Sequence, residues 1–140
     1  MKKLVSFLLA VLLISSLTIP SIAAVPETVV PLYNYTSSIS ASLPTINPDT
    51  NIAVCTSKVV ASQYLPVKVV CELQKYTSEG WTTIKTWEAT GNLQATLQKK
   101  YAVYTGYWYR VKTTGYVYNN SNVLLETTTV TSPEQFFPGT

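Results

Sequence analysis

YAVYTGYWYRVKTTGYV, residues 101–117, is the stretch whose reading decides the fold. Aromatic and β-branched residues alternate along it, the period of a pleated, half-buried strand. Gly106 gives the chain a place to bend. Tyr109 and Val111 fall on one side and are assigned inward; Trp108, Arg110 and Lys112 fall on the other. Either Tyr104 or Tyr109 is placed to make a tyrosine corner, a hydroxyl bonded back to the backbone.

Working outward, the loop Asn119-Asn120-Ser121-Asn122 leads to a last strand over 123–131, read as the hairpin partner of the first stretch. Upstream, Leu93, Ala95, Leu97, Tyr101 and Val103 alternate with polar residues, and turns are read at 88–92 and 78–80. WTTIKTW, 81–87, forms a short strand between those turns. Val67, Val69, Cys71 and Leu73 share one face opposite Lys68, Val70, Glu72 and Gln74. Ala53, Cys55, Ser57 and Val59 do the same one strand earlier, beyond the turn-forming INPDTN. Ile39, Ala41 and Leu43 alternate with serines and stop at Pro44. About seven strands at this spacing, with no helical period, predict an all-β, immunoglobulin-like antiparallel β-sandwich. A small closed β-barrel is the competing architecture.

The chain opens with Met1-Lys2-Lys3, an apolar run over 4–17, Pro20 and the small residues Ser21-Ile22-Ala23-Ala24. That is the three-part pattern of a secretory signal peptide, 1–24, cleaved after Ala23 or Ala24. The apolar run is about 14 residues, short of the roughly 20 a spanning helix needs. Residues 25–36 read as an extended arm, 37–132 as the sandwich domain and 133–140, with Pro133 and Pro138, as a frayed tail. The expected mature product is a released extracellular domain without a stable membrane anchor. Without Lys2 and Lys3 the formal charge falls from +3 to +1, and no dense basic run remains. Nucleic acid is therefore not an expected partner.

Cys55 and Cys71 are the two cysteines, an even number in an exported chain. Placed equally far from a loop centred near Gln63, on inward positions of successive strands, they are expected to form a disulfide. Two buried free thiols are the alternative.

Leu73-Gln74-Lys75, then Trp81-Thr82-Thr83-Ile84-Lys85-Thr86-Trp87, then Tyr101 and Tyr109-Arg110-Val111-Lys112, with the strand of Cys55, occur here in one order. Over roughly 38–131 this order resembles a family of small secreted proteins of Gram-positive, clostridia-like bacteria. The resemblance implies an immunoglobulin-like sandwich and no assigned activity, so it brings no catalytic residues. Cys71 departs from the pattern, which has an apolar residue there.

The absences narrow the chemistry. The chain has no histidine, the commonest general base and a frequent zinc ligand. Asp49 is the only aspartate, in a turn, and six glutamates are scattered along the chain. A glycosidase needs two carboxyls facing one cleft; Glu72 and Glu126 are the pair to watch, and solvated strand-face residues the simpler reading. No catalytic residue, cofactor or metal is expected.

Ten tyrosines and three tryptophans set the functional expectation. Trp108, Arg110 and Lys112 are expected to share an outer face with Glu72, and Glu72 to pair with Arg110. Trp81, Lys85 and Trp87, equal in parity, are expected to extend that face. A flat surface of this kind anchors a protein partner or stacks sugar rings. The chain therefore reads as a secreted, non-catalytic binding module for an extracellular protein or glycan. The alternatives are a cell-wall binder stacking sugars on Trp81, Trp87 and Trp108, and a self-assembling protein pairing through edges such as 123–131.

Overall fold

A computed structural model describes residues 33–139. The expected signal peptide and residues 25–32 of the expected arm lie outside the described residues. Among those described, the strands are β1 (Thr36–Ala41), β2 (Thr45–Asn47), β3 (Ile52–Ala61), β4 (Pro66–Thr77), β5 (Gly80–Asn92), β6 (Gln94–Ala102), β7 (Tyr107–Tyr118), β8 (Leu124–Thr131) and β9 (Gln135–Phe137). They form two antiparallel sheets and no closed barrel. In the first, β3 lies between β6 and the short pair β1 and β2; in the second, the order is β5-β4-β7, with β8 and β9 together along the far edge of β7.

Each sheet buries one side-chain set because the period of two sends alternate residues to opposite faces. Ala53, Cys55, Ser57 and Val59 of β3 meet Val67, Val69, Cys71 and Leu73 of β4 in the core, all essentially inaccessible to solvent. Tyr109, Val111, Thr113 and Val117 of β7 complete it. Ser57 and Thr113 hydrogen-bond to each other through their hydroxyls at 2.6 Å, so these buried polar atoms are satisfied between the sheets.

The quoted stretch spans three pieces: the end of β6, a turn at Gly106, and most of β7. Tyr109 forms the corner. Its hydroxyl donates to the Tyr104 carbonyl at 2.7 Å and accepts from the Tyr104 amide at 3.1 Å. Gly106 takes a φ of 82°, where a side chain would be strained. Residues 88–92, read as a turn, are strand instead. The crossing between sheets needs only Leu93, whose φ is 66° and whose amide and carbonyl bond to Leu65 and Ala61.

The expected frayed tail is ordered as β9. Pro133 stops β8, but Ser132 still bridges the gap: its amide donates to the Val111 carbonyl, and its hydroxyl accepts from the Val111 amide at 2.9 Å. Beyond the proline the chain resumes the same ladder, pairing Gln135–Phe137 with residues 107–109.

The disulfide expectation is corrected. Cys55 and Cys71 are both buried and both free. They belong to opposite sheets, but the sheets are staggered. Cys71 shares a rung with Thr113, and the residue that reaches this rung from β3 is Ser57, not Cys55. Burial, and then the neighbouring Cys71 thiol, push Cys55 up to about 12, while burial also raises Cys71. Both are therefore protonated and poor nucleophiles near neutral pH. Without reductant, a thiol reagent at pH 8 is expected to label neither cysteine in the native chain and both in guanidinium. Absence of labelling in guanidinium would contradict the free-thiol state.

Glu126 closes the side of the sandwich where β8 meets β1. Its carboxylate accepts from the amides of Asn34, Tyr35 and Thr36 at 2.8, 3.1 and 2.6 Å. Partial burial alone would raise this carboxyl, and the bonds donated by residues 34–36 more than reverse that, so it sits below the usual carboxylate range. A depressed acid stabilises the fold above its unfolded value and loses that contribution as pH falls through its folded value. Glu126→Gln is expected to cost about 1–3 kcal/mol at pH 7. The gap from wild type should close on acidification below roughly pH 4. Melting curves that stay equally separated from pH 7 to pH 3 would refute this role.

Candidate functional site

The two outer faces differ in chemistry. The first sheet turns Thr56, Lys58, Gln94, Thr96 and Gln98 outward, a mainly polar surface in which Val54 and Val60 are half-buried. The second sheet turns out Trp108, Arg110, Lys112, Thr114 and Tyr116 from β7, and Lys68, Val70, Glu72, Gln74 and Tyr76 from β4.

Register places four aromatics on one rung. Tyr76 of β4 pairs with Trp81 of β5, and Trp108 of β7 pairs with Phe136 of β9. The last paired rung between β4 and β7 is Lys75 with Tyr109, so Tyr76 and Trp108 stand one step beyond it. With strands about 4.8 Å apart, the row Trp81–Tyr76–Trp108–Phe136 runs about 14 Å across the end of the sheet. Tyr76, Trp108 and Phe136 are 50%, 45% and 39% exposed, which makes the row a surface and not part of the core. Adjacent rings are not coplanar. Tyr76 and Trp81 lie 5.3 Å apart at 60°, and Trp108 and Phe136 5.2 Å apart at 45°. A depression of about 370 Å³ lies among Tyr76, Trp81, Trp108 and Glu134.

Behind the row stands a polar rung. The Arg110 guanidinium lies over the Trp81 ring at 4.2 Å, and its Nε donates to Gln74 Oε1 at 2.8 Å. Gln74 in turn donates to the Thr83 hydroxyl. These contacts fix Arg110 and Trp81 in mutual contact, a cation–π pair worth about 0.5–2 kcal/mol. One rung further, Lys112 Nζ is 3.1 Å from Glu72, which also accepts from Thr83. Glu72 therefore pairs with Lys112 and not with Arg110 as expected. Arg110 sits one rung away, on Gln74.

Trp108, Arg110, Lys112, Glu72 and Trp81 come together as expected; Lys85 and Trp87 do not. Between the pairs Gln74–Thr83 and Leu73–Lys85, Ile84 is an extra residue on β5. This bulge reverses the side on which later residues point. Trp87 consequently packs against the core and meets Tyr101 of β6 edge-on at 6.1 Å. Lys85 reaches that same tyrosine, with its ammonium 5.9 Å from the ring.

Tyr76, Phe136 and Glu134 were not foreseen in the site. Tyr76 continues the outward alternation of Glu72 and Gln74, so its signal was present. Phe136 was hidden by flanking prolines that suggested a tail.

The two watched carboxylates do not converge. Glu72 faces outward beside Lys112, which pairs with Thr131; Glu126 pairs with inward-facing Val117, five residues back along β8. The two carboxylates are thus on opposite faces and roughly 17 Å apart along the strand. Among the described residues no three His, Cys, Asp or Glu side chains cluster as a metal site. No protein-family model and no curated protein matches this sequence. Fold and site together define a β-sandwich with one polar and one aromatic face.

Proposed function

We propose that this is a secreted, non-catalytic binding module that holds an extracellular protein on the outer face of its second sheet. The observation that carries this reading is the exposed run of Tyr76, Trp108 and Phe136, ended by half-buried Trp81 with Arg110 fixed over its ring. Tryptophan, tyrosine and arginine are the residues that dominate protein-binding hot spots. The tilts between neighbouring rings make a corrugated apolar surface suited to interdigitating side chains. Secretion rests on the leader pattern of residues 1–24.

A glycan partner is the second reading, favoured by the depression in which Glu134 lies beside Trp81 and Trp108. Against it, Arg110 already covers the Trp81 ring and adjacent rings are not coplanar, whereas sugar stacking needs open, flat faces.

Tryptophan emission, titrated with soluble polysaccharides and cell-wall fragments, separates the two. The protein-partner reading predicts no saturable change with any glycan. It also predicts retention on intact producing cells that protease treatment of those cells abolishes and that falls at least tenfold for Trp108→Ala. A saturable glycan response lost in Trp108→Ala would replace it with the second reading. Retention unaffected by Trp108→Ala would remove both.

A further inference from the structure

A second concavity lies away from the aromatic row, between the two sheets at the end marked by the tyrosine corner. Its volume is about 640 Å³, within the range of small-molecule sites. β6 leaves the first sheet here, so Tyr101 and Val103 form one wall, and Lys75 and Ile84 of the second sheet form the other. Fully buried Tyr109 is the floor, its hydroxyl already held by Tyr104. The bulge that turns Trp87 into the core also brings Ile84 to this cavity.

Lys75 is the feature that asks for a ligand. It occupies the inward parity of β4, following Val67, Val69, Cys71 and Leu73, and is the one charged side chain lining the cavity. Its ammonium lies 4.3 Å from the centre of the Tyr107 ring. The ion pairs among the described residues are Lys68–Glu88 and Lys112–Glu72, both on the outer face, so no described carboxylate neutralises Lys75. Lys85, over the Tyr101 ring, adds a second positive charge nearby.

We infer that this interlayer cavity binds a small, apolar carboxylate. The hydrocarbon portion lies among Ile84, Tyr101 and Val103, and the carboxylate accepts a charge-assisted hydrogen bond from Lys75. Such bonds are about twice as strong as neutral ones, so the charged ligand is favoured over an isosteric amide. The site is independent of the aromatic row and uses none of its residues.

The test titrates the full chain with naphthalene-2-carboxylate and with naphthalene-2-carboxamide, followed by calorimetry and by amide chemical shifts. One molecule of the carboxylate should bind, at least tenfold more tightly than the amide, with shifts centred on Ile84, Tyr101 and Val103. Lys75→Gln should abolish the preference for the carboxylate while leaving amide affinity within twofold. Val103→Trp should fill the cavity and exclude both compounds; if that variant fails to fold, the Lys75→Gln comparison decides alone. Equal affinity for the two compounds, no saturable binding of the carboxylate, or shifts centred on Trp81 and Trp108 would overturn the inference.

Discussion

Tyr109→Ala is expected to destabilise the fold by about 3–5 kcal/mol, the usual cost of deleting a large buried aromatic side chain. Tyr109→Phe should cost about 1–2 kcal/mol, because it removes only the hydroxyl and leaves the Tyr104 backbone groups to find other partners. The ring is fully buried among the inward set of β7, and the hydroxyl ties the turn at Gly106 to the strand that follows. At roughly 4 °C of melting temperature per kcal/mol for a domain near 100 residues, the two variants should be clearly resolved. Equal losses for both would mean that the hydroxyl contributes everything and the ring nothing, contrary to this account. Amide exchange should localise the Tyr109→Phe loss to residues 103–107. A loss spread evenly over both sheets would contradict the corner's local role.

Gly91→Ala is the second large effect, at roughly 3 kcal/mol or more, above the usual range for an inserted methyl. A Cβ at this position would collide with the backbone carbonyl oxygen of Gln94, which cannot rotate aside as a side chain can. The chain passes from β5 in one sheet to β6 in the other through Leu93 alone. Leu93 is pinned at both ends, its amide to Leu65 at 2.9 Å and its carbonyl by the Ala61 amide at 2.7 Å. Moving Gln94 therefore strains the crossing and disturbs its pairing with Val60. Gly139→Ala is the control, because a Cβ there meets nothing within 4 Å. Urea unfolding should show a large drop in midpoint for Gly91→Ala and none for Gly139→Ala. A Gly91→Ala midpoint within error of wild type would show that the crossing relaxes freely.

The architecture was legible because the strands that build the core alternate cleanly. Val67 to Leu73 presents apolar residues at every second position, and Ala53 to Val59 small or β-branched ones. The sequence of 107–112 likewise placed Trp108, Arg110 and Lys112 opposite Tyr109 and Val111. Alternation cannot reveal where it breaks. The extra residue Ile84 reverses the sides of Lys85 and Trp87, so a parity count started at Trp81 put both on the wrong face. Nor can equal spacing from a loop centre reveal sheet stagger, which brings Ser57 and not Cys55 to the level of Cys71. Phe136 was missed because Pro133 reads as a stop. The ladder resumes beyond it through Ser132, a tertiary contact with no local signature. The candidate site thus combined a visible half, on β4 and β7, with a hidden half supplied by the register of β5 and β9.

On the proposed function, a partner meets the aromatic face and not the polar one. A photo-reactive side chain at exposed Thr83, beside Gln74 and Arg110, would report on the first face, and one at exposed Thr96 on the opposite sheet. After irradiation on intact producing cells, adducts should form from position 83, disappear when Trp108→Ala is added, and be absent from position 96. Equal adducts from both positions, or adducts from position 96 alone, would contradict the account.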